Sequence, residues 1–272
     1  PISTLLELQG VAVGPGYRNA IHAAMSLLRS NPRNMRSLTH FVNMVQDHTI
    51  REGLQHYTRD GAMGQLLDAE TDNLGIASFL VFEIEELMNL GDKNLIPVLL
   101  YIFRRIERSL HGQPTLLLLD EAWLMLAHHV FREKIREWLK VLRKANCSVV
   151  MATQSLSDAK ASGIMDVLVE SCQTKIFLPN ITARQEVQAE LYRGMGLNSR
   201  QVEIIASATP KRDHYVVTPN GRQLVQLALQ RNSLCFLGVS DKESISRIKE
   251  LQSIHGAGWT DVWLNEQGGM AA

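Results

Sequence analysis

The spacing of apolar positions changes character twice along the chain. Through residues 1–74 it is helical. Leu5, Leu6 and Leu8 follow Ser3-Thr4. Ala20, Ala23, Ala24, Leu27 and Leu28 form one stripe before Asn31-Pro32, which should end that helix. A further helix is expected from Ser37 to Arg51, with Leu38, Phe41, Val42 and Val45 on one side. No strand-like alternation interrupts this stretch, so 1–74 reads as an all-helical subdomain.

At Ala77 the pattern changes. Ser78-Phe79-Leu80-Val81-Phe82-Glu83 reads as a buried strand, followed by the acidic Glu85-Glu86. Lys93 to Leu110 predicts a helix carrying Ile96, Leu99, Leu100, Phe103 and Ile106, with Pro97 in its first turn. The run Thr115-Leu116-Leu117-Leu118-Leu119 fits a strand buried on both faces, and it stops abruptly at Asp120-Glu121. A helix between two strands implies parallel pairing. His128 to Asn146 is amphipathic. Phe131, Ile135, Trp138, Leu139 and Leu142 lie on one face, with Arg132, Arg136, Lys140, Arg143 and Lys144 on the other. A strand over 148–153 then leads into Gln154, a helix is expected near 166–172, and a strand at 175–178 is stopped by Pro179-Asn180. The prediction is an α/β fold over 75–272, with strands near 79–83, 115–120, 148–153 and 175–178 in one wound, mainly parallel sheet.

The last third has a different texture. Arg184 to Met195 and Ser199 to Ala208 read as helices. Residues 215–218 and 224–229 read as hairpin arms around Pro219-Asn220-Gly221. A strand is expected over Cys235–Val239, and Ser240-Asp241-Lys242-Glu243 as a capping box opening a helix that ends near Gly256.

Composition narrows this little. A 45% hydrophobic and 21% charged content is that of an ordinary globular protein, and 28 basic against 28 acidic residues give no charge directing the chain to nucleic acid or membrane. The three cysteines lack metal-ligand spacing, and Cys147 and Cys235 sit in apolar runs that suggest buried, reduced thiols. The longest apolar run, Leu95 to Phe103, is about half the roughly 20 residues of a membrane span. There is no signal peptide. The chain opens with Pro1 and reads as a piece of something longer.

The chemistry gathers at one expected sheet edge. Acids at the carboxyl end of a parallel strand stand where ligands of open α/β sheets bind. In a nucleotide hydrolase the first acid, here Asp120, sits on the Mg²⁺ side, and the second, Glu121, polarises the attacking water. Gln154, at the end of the neighbouring strand, could donate to a terminal phosphate oxygen or orient that water. The plainer alternative is a core strand running into a solvated turn. A phosphate-binding loop needs Gly-x-x-x-x-Gly-Lys-Ser/Thr, yet no Gly-Lys pair occurs anywhere, and Gly10-Val-Ala-Val-Gly14-Pro-Gly16 lacks the lysine and hydroxyl.

Three stretches carry a resemblance: Leu-Leu-Leu-Leu-Asp-Glu-Ala-Trp-Leu-Met-Leu, Phe-Arg-Glu-Lys-Ile-Arg-Glu-Trp-Leu-Lys-Val-Leu-Arg-Lys-Ala-Asn and Val-Met-Ala-Thr-Gln-Ser-Leu-Ser-Asp-Ala. With Lys211-Arg212-Asp213-His214-Tyr215 and the Pro-Asn-Gly-Arg turn at 219–222, they are similar to the TrbE/CagE family, the conjugal-transfer and type IV secretion ATPases of bacteria. The resemblance implies a RecA-like P-loop NTPase fold and a carboxy-terminal motor-domain fragment that begins after its own phosphate loop. It implies ATP with Mg²⁺ as ligand, Asp120 on the metal side, Glu121 as catalytic base and Gln154 as sensor. It further implies a homo-oligomer, a hexamer, on the cytoplasmic face of the inner membrane, working with other secretion-system subunits there. Such sites are completed by an arginine from a neighbouring subunit. Arg143 is the first candidate and Arg212 the second, each with the alternative of a solvated cation. One rival reading is a DNA-pumping coupling motor resembling FtsK and HerA, whose DNA contact would need a basic pore loop, with Lys211-Arg212 as the candidate. Another is a non-catalytic scaffold or docking module, favoured for the isolated chain by the missing phosphate loop.

Overall fold

The computed structural model describes residues 2–268 except 70, 73, 76, 85, 86 and 88, and of 123, 124 and 127 the backbone alone. The chain divides into two compact units, Pro1–Leu117 with Leu142–Ser148, and Leu118–Val141 with Val149–Ala272.

The first unit is built on helices α1 (Ile2–Leu8), α2 (Pro15–Ser30), α3 (Leu38–Met44), α4 (His48–Gln55), α5 (Gly64–Leu67) and α6 (Asp92–Ser109). Leu6, Phe41, Ile50, Leu54 and Tyr57 form its fully buried centre. As expected, α2 stops before Asn31-Pro32, where the backbone turns extended. The helix expected over 37–51 is instead two. Asp47 breaks it by capping α4, its carboxylate accepting from the Ile50 amide at 3.0 Å, while Ser37 caps α3. Short polar side chains favour that position over a helix interior. Asp68, itself buried, ties α5 to α3 by accepting from the amides of Leu38 at 2.5 Å and Thr39 at 2.9 Å. The described residues of 1–74 form helices and turns only, and the same unit includes α6.

Pro97 lies in the second turn of α6 rather than the first, because that helix already starts at Asp92. Proline has no N–H, so the carbonyl four residues back, that of Lys93, loses its helical donor. The hydroxyl of buried Tyr57 replaces it, donating to the Lys93 oxygen at 2.9 Å, and accepts in turn from Gln9 Nε2 at 3.0 Å. Burial pushes the Tyr57 pKa up, which keeps the donor proton in place.

Strand β1 (Thr115–Leu119) pairs with β2 (Cys147–Met151). The pairing is parallel, as the helix between them predicts: the Thr115 amide donates to Asn146 and the Ala152 amide to Leu119, both series ascending. The second unit contains α7 (Ala122–Ala127), α8 (His129–Val141), α9 (Leu156–Ala161), α10 (Met165–Ser171), β3 (Lys175–Phe177), α11 (Glu186–Gly194), α12 (Ser199–Ser207), β4 (Asp213–Thr218) and β5 (Gly221–Gln226). It closes with α13 (Arg231–Leu237), α14 (Lys242–His255) and α15 (Trp259–Glu266). Phe177, Tyr192, Ile205 and Tyr215 centre one core. The amphipathic helix forms as α8, burying Phe131, Ile135 and Trp138.

Several expectations are corrected here. Residues 79–83 are not a strand: Phe79 is 80% and Val81 74% exposed, and with no strand partner among the described residues the segment stays irregular. Glu85 and Glu86 lie outside the described residues. β1 is not buried on both faces. Leu116 and Leu118 are 61% and 62% exposed, since a two-stranded sheet leaves alternate residues uncovered. β3 does not extend the parallel pair but joins the β4–β5 hairpin, antiparallel, with Phe177 opposite Tyr215 and Tyr215 opposite Leu224. Cys235 to Leu237 are helical, in α13, because a short apolar run carries no period of its own. Asp241, not Ser240, caps α14, accepting from Ser244 at 2.8 Å.

The Tyr57–Lys93 bond gives a coupling that can be measured. Tyr57→Phe should destabilise the protein by about 1 kcal/mol, the net worth of a lost hydrogen bond. With Pro97→Ala the new residue regains an N–H for the Lys93 carbonyl. The double variant should therefore lose less than the sum of the two single variants in urea unfolding.

Candidate functional site

The site is assembled where β1 and β2 end. Ala152 fastens the two chain segments together. Its amide donates to the Leu119 carbonyl at 2.9 Å, and its carbonyl accepts from the Ala122 amide at 3.0 Å. Asp120 and Glu121 lie between those two anchor points, and Gln154 stands two residues beyond Ala152. The chain passes from the strand into α7 within that span. Glu121 takes the left-handed region, φ 50°, ψ 38°, which costs a side-chain-bearing residue about 1–2 kcal/mol.

Glu121 occupies the N-cap position of α7 but its side chain makes no cap. It reaches across to the next strand instead, where Gln154 Nε2 donates to Glu121 Oε1 at 2.6 Å. Asp120 is exposed, and its Oδ1 accepts from the Glu121 amide at 3.0 Å. The structure thus brings together three of the residues singled out from the sequence. Sequence reasoning placed Gln154 at the same edge, but neither the direct bond to Glu121 nor the left-handed backbone had a signal in the residue types.

The two arginines are elsewhere. Arg143 is exposed in the 3₁₀ turn Leu142–Ala145 that precedes β2, whereas the acids follow β1. Arg212 is exposed in the turn before β4, next to Lys211, whose φ is 61°. Asp213 organises that turn. Its carboxylate accepts from the Thr209 amide at 2.7 Å and from Gln226 Nε2 at 2.8 Å. The Thr209 amide, foremost, holds the Asp213 pKa below the usual carboxylate range, with help from Gln226.

The donor set fits Mg²⁺ with a nucleotide in part. Among the described residues no group of three or more His, Cys, Asp or Glu could hold a metal by itself. Mg²⁺ takes one or two carboxylates and completes its shell with water and substrate phosphates. Asp120, exposed at the strand end, offers such a carboxylate. A phosphate cradle is not among these residues, since no Gly-Lys pair occurs in the 272. The cysteines are all free, and burial raises the pKa of both Cys147 and Cys172.

Comparison with known proteins identifies the family and the fold. Residues 43–229 match the TraG P-loop domain family. The chain is 58% identical over 267 residues to the conjugal transfer protein TrbE of Rhizobium radiobacter, covering 98% of this chain and 32% of that protein. It is 27% identical over 269 residues to the type IV secretion system protein VirB4 of Bartonella henselae, covering 96% and 33%. The chain therefore spans about a third of the length of these relatives. Among solved structures it resembles VirB4 of Thermoanaerobacter pseudethanolicus, with a TM-score of 0.62 at 16% identity, over 85% of this chain and 68% of that one. The fold is thus an α/β P-loop NTPase fold of the expected RecA-like class.

Two outcomes follow from the local chemistry. Because Glu121 is left-handed, Glu121→Gly should be more stable than Glu121→Ala by about 1 kcal/mol in chemical unfolding, since only glycine is unstrained there. Asp213 should contribute stability that is fully present above its unfolded pKa of about 3.9 and is lost as pH falls through its depressed folded value. Asp213→Asn should remove that acid-side loss, which acid titration of thermal stability would show.

Proposed function

The chain belongs to the TraG P-loop domain family, with the TrbE and VirB4 type IV secretion ATPases, and from that premise we propose that it forms the acid-pair side of the ATP site in a secretion motor. The motor hydrolyses ATP to power pilus assembly or substrate transfer in a bacterial conjugative system. The observation that carries this reading is the joining of Asp120, Glu121 and Gln154 at the carboxyl ends of two parallel strands, with Gln154 at 2.6 Å from Glu121.

Each residue has a role. Asp120 would hold Mg²⁺, through water. Glu121 takes a proton from the attacking water, and Gln154 donates its amide to a terminal phosphate oxygen. When bound, Mg²⁺-ATP supplies the phosphoryl group and the metal charge that stabilises the transition state. In this reading the phosphate-binding loop is supplied from outside residues 1–272, in which no Gly-Lys pair occurs. Residues 1–74 form a helical insertion, and residues 75–272 the ATPase core. The motor is a hexameric ring on the cytoplasmic face of the inner membrane, bound to other secretion subunits. Among the described residues no helix is long and apolar enough to cross a membrane. Arg143 reaches a neighbour's site in trans, with Arg212 as second candidate.

The test is made in the full-length protein. Glu121→Gln should lower hydrolysis on the order of 10²–10⁴-fold while ATP binding persists, because the amide keeps the size but cannot take the proton. Arg143→Ala should also lower turnover, through the neighbour's site. Mixing the two variants should restore some activity, since some interfaces then pair an intact Glu121 with an intact Arg143. Loss of nucleotide binding in Glu121→Gln would make Glu121 structural, and no recovery in a co-assembled mixture would remove Arg143 from the site. Residues 1–272 expressed alone should neither hydrolyse ATP nor bind it tightly.

A further inference from the structure

We propose that the exposed side of α2 and the turn that follows it form a membrane-contact surface for anionic phospholipid headgroups. This deepens the inner-membrane placement given above by naming the residues that would make it, and it stands apart from the ATP chemistry. Between Glu7 and Asp47 the chain holds no acidic residue, yet it carries Arg18, Arg29, Arg33 and Arg36. All four are exposed. Arg18, His22, Met25 and Arg29 recur at i, i+4, i+7 and i+11, so they form one ridge along α2. Ala24 and Leu28, on another side of the helix, are buried in the helical core. Past the helix end Arg33 and Arg36 continue the run, and Arg36 is anchored there by its Nε donating to the Asn31 carbonyl at 2.7 Å.

Several exposed cations on other helices have an acid beside them: Arg104 has Glu107, Lys134 has Glu137, Arg193 has Glu186, and Arg247 has Glu250 and Glu266. Among the described residues no carboxylate pairs with Arg18, Arg29, Arg33 or Arg36. Arg18 also lies in the first turn of α2, where the helix dipole disfavours a cation and no acid offsets it. Such a face repels itself and gains from an external anion. The guanidinium fork suits phosphate oxygens, which it can grip through two parallel N–H bonds. The neighbouring side chains select a bilayer over nucleic acid as the source of those phosphates. Met25, 39% exposed, lies within the ridge, and Met35, 42% exposed, directly precedes Arg36. An exposed thioether gains by entering the boundary of the acyl chains and gains nothing on a phosphodiester backbone. Base stacking would ask for an exposed aromatic ring, but Tyr17 and Phe41, the aromatic residues of this acid-free stretch, pack into the core.

The test is co-sedimentation of the full-length protein with vesicles of phosphatidylcholine, alone or mixed with phosphatidylglycerol. ATP hydrolysis without vesicles is the check on folding. The parent should bind the mixed vesicles only, and salt should weaken that binding by screening the surface charge. Arg29→Ala with Arg33→Ala should lower the affinity on the order of 25-fold, roughly 5-fold for each arginine. Arg29→Lys with Arg33→Lys keeps the charge and should keep most of the affinity. Lys242→Ala with Lys249→Ala removes the same charge from α14 and should leave binding nearly unchanged. Met25→Ser should lower the affinity by a smaller factor that salt does not alter. Equal losses from the arginine and lysine pairs would reduce the effect to net charge and overturn the surface. Binding of a DNA duplex that falls in the arginine variant while vesicle binding does not would overturn it in favour of nucleic acid. Vesicle binding that the arginine pair leaves unchanged would overturn the surface but not the membrane placement. No vesicle binding by a parent that hydrolyses ATP would overturn both of these and leave the ATPase reading intact.

Discussion

Ala152 uses both of its backbone groups to lock the ends of the parallel pair, donating to Leu119 and accepting from Ala122. The residues between those partners, Asp120 and Glu121, are left with a fixed span to cross. In an extended strand their side chains would point to opposite faces. The left-handed Glu121 ends that alternation and turns the chain into α7 at once, so both acids remain at the strand end. The site's geometry follows from this backbone constraint more than from any side-chain contact. The Glu121–Gln154 bond is possible because the constraint has already brought the two residues to the same edge.

A comparable substitution of one partner for another organises the helical unit. Pro97 removes a donor from α6, and a carbonyl deprived of its donor is costly unless something replaces it. Tyr57 does so from the loop after α4, with Gln9 of the segment following α1 bonded to the same hydroxyl. Three segments far apart in sequence thus meet at one phenol. An unfavourable helix residue has become a tertiary fastening, and the hydroxyl gives Tyr57 a reason to be buried at 0% exposure that a phenylalanine would lack.

What was legible in the sequence was local chemistry. The Asn-Pro stop after α2, the turn at Pro219-Asn220 before Gly221, the stripe of α8 and the acids after β1 all depend on neighbours in the chain, and they stand where they were expected. What failed depends on partners distant in sequence. Residues 79–83 have a strand's composition but pair with no strand among the described residues, and Phe79 and Val81 remain exposed. β3 has the composition of a parallel core strand, yet the β4–β5 hairpin offers its edge and the pairing is antiparallel. The capping of α4 by Asp47 is local as well, but the apolar stripe runs through that position and masks it. In the site, residue type identified the acids and the amide. The bond between them needed the twist of one backbone residue, which no composition reports.

The length of the side chain at position 121 is part of the same argument. Asp120 and Glu121 differ by one methylene and have different tasks in the structure. The shorter acid binds locally, accepting the next residue's amide at 3.0 Å, and stays exposed for a cation or water. The longer one spans the gap to the neighbouring strand and meets Gln154 at 2.6 Å. An aspartate at 121 would fall short by up to about 1.5 Å, one carbon–carbon bond. A contact stretched by that much is no longer a hydrogen bond. Order matters as well as identity, because Asp120 directly follows β1, whereas Glu121 takes the left-handed position that opens α7. Exchanging the two would put the long carboxylate on the solvent side and leave the short one out of Gln154's reach, with composition and charge unchanged.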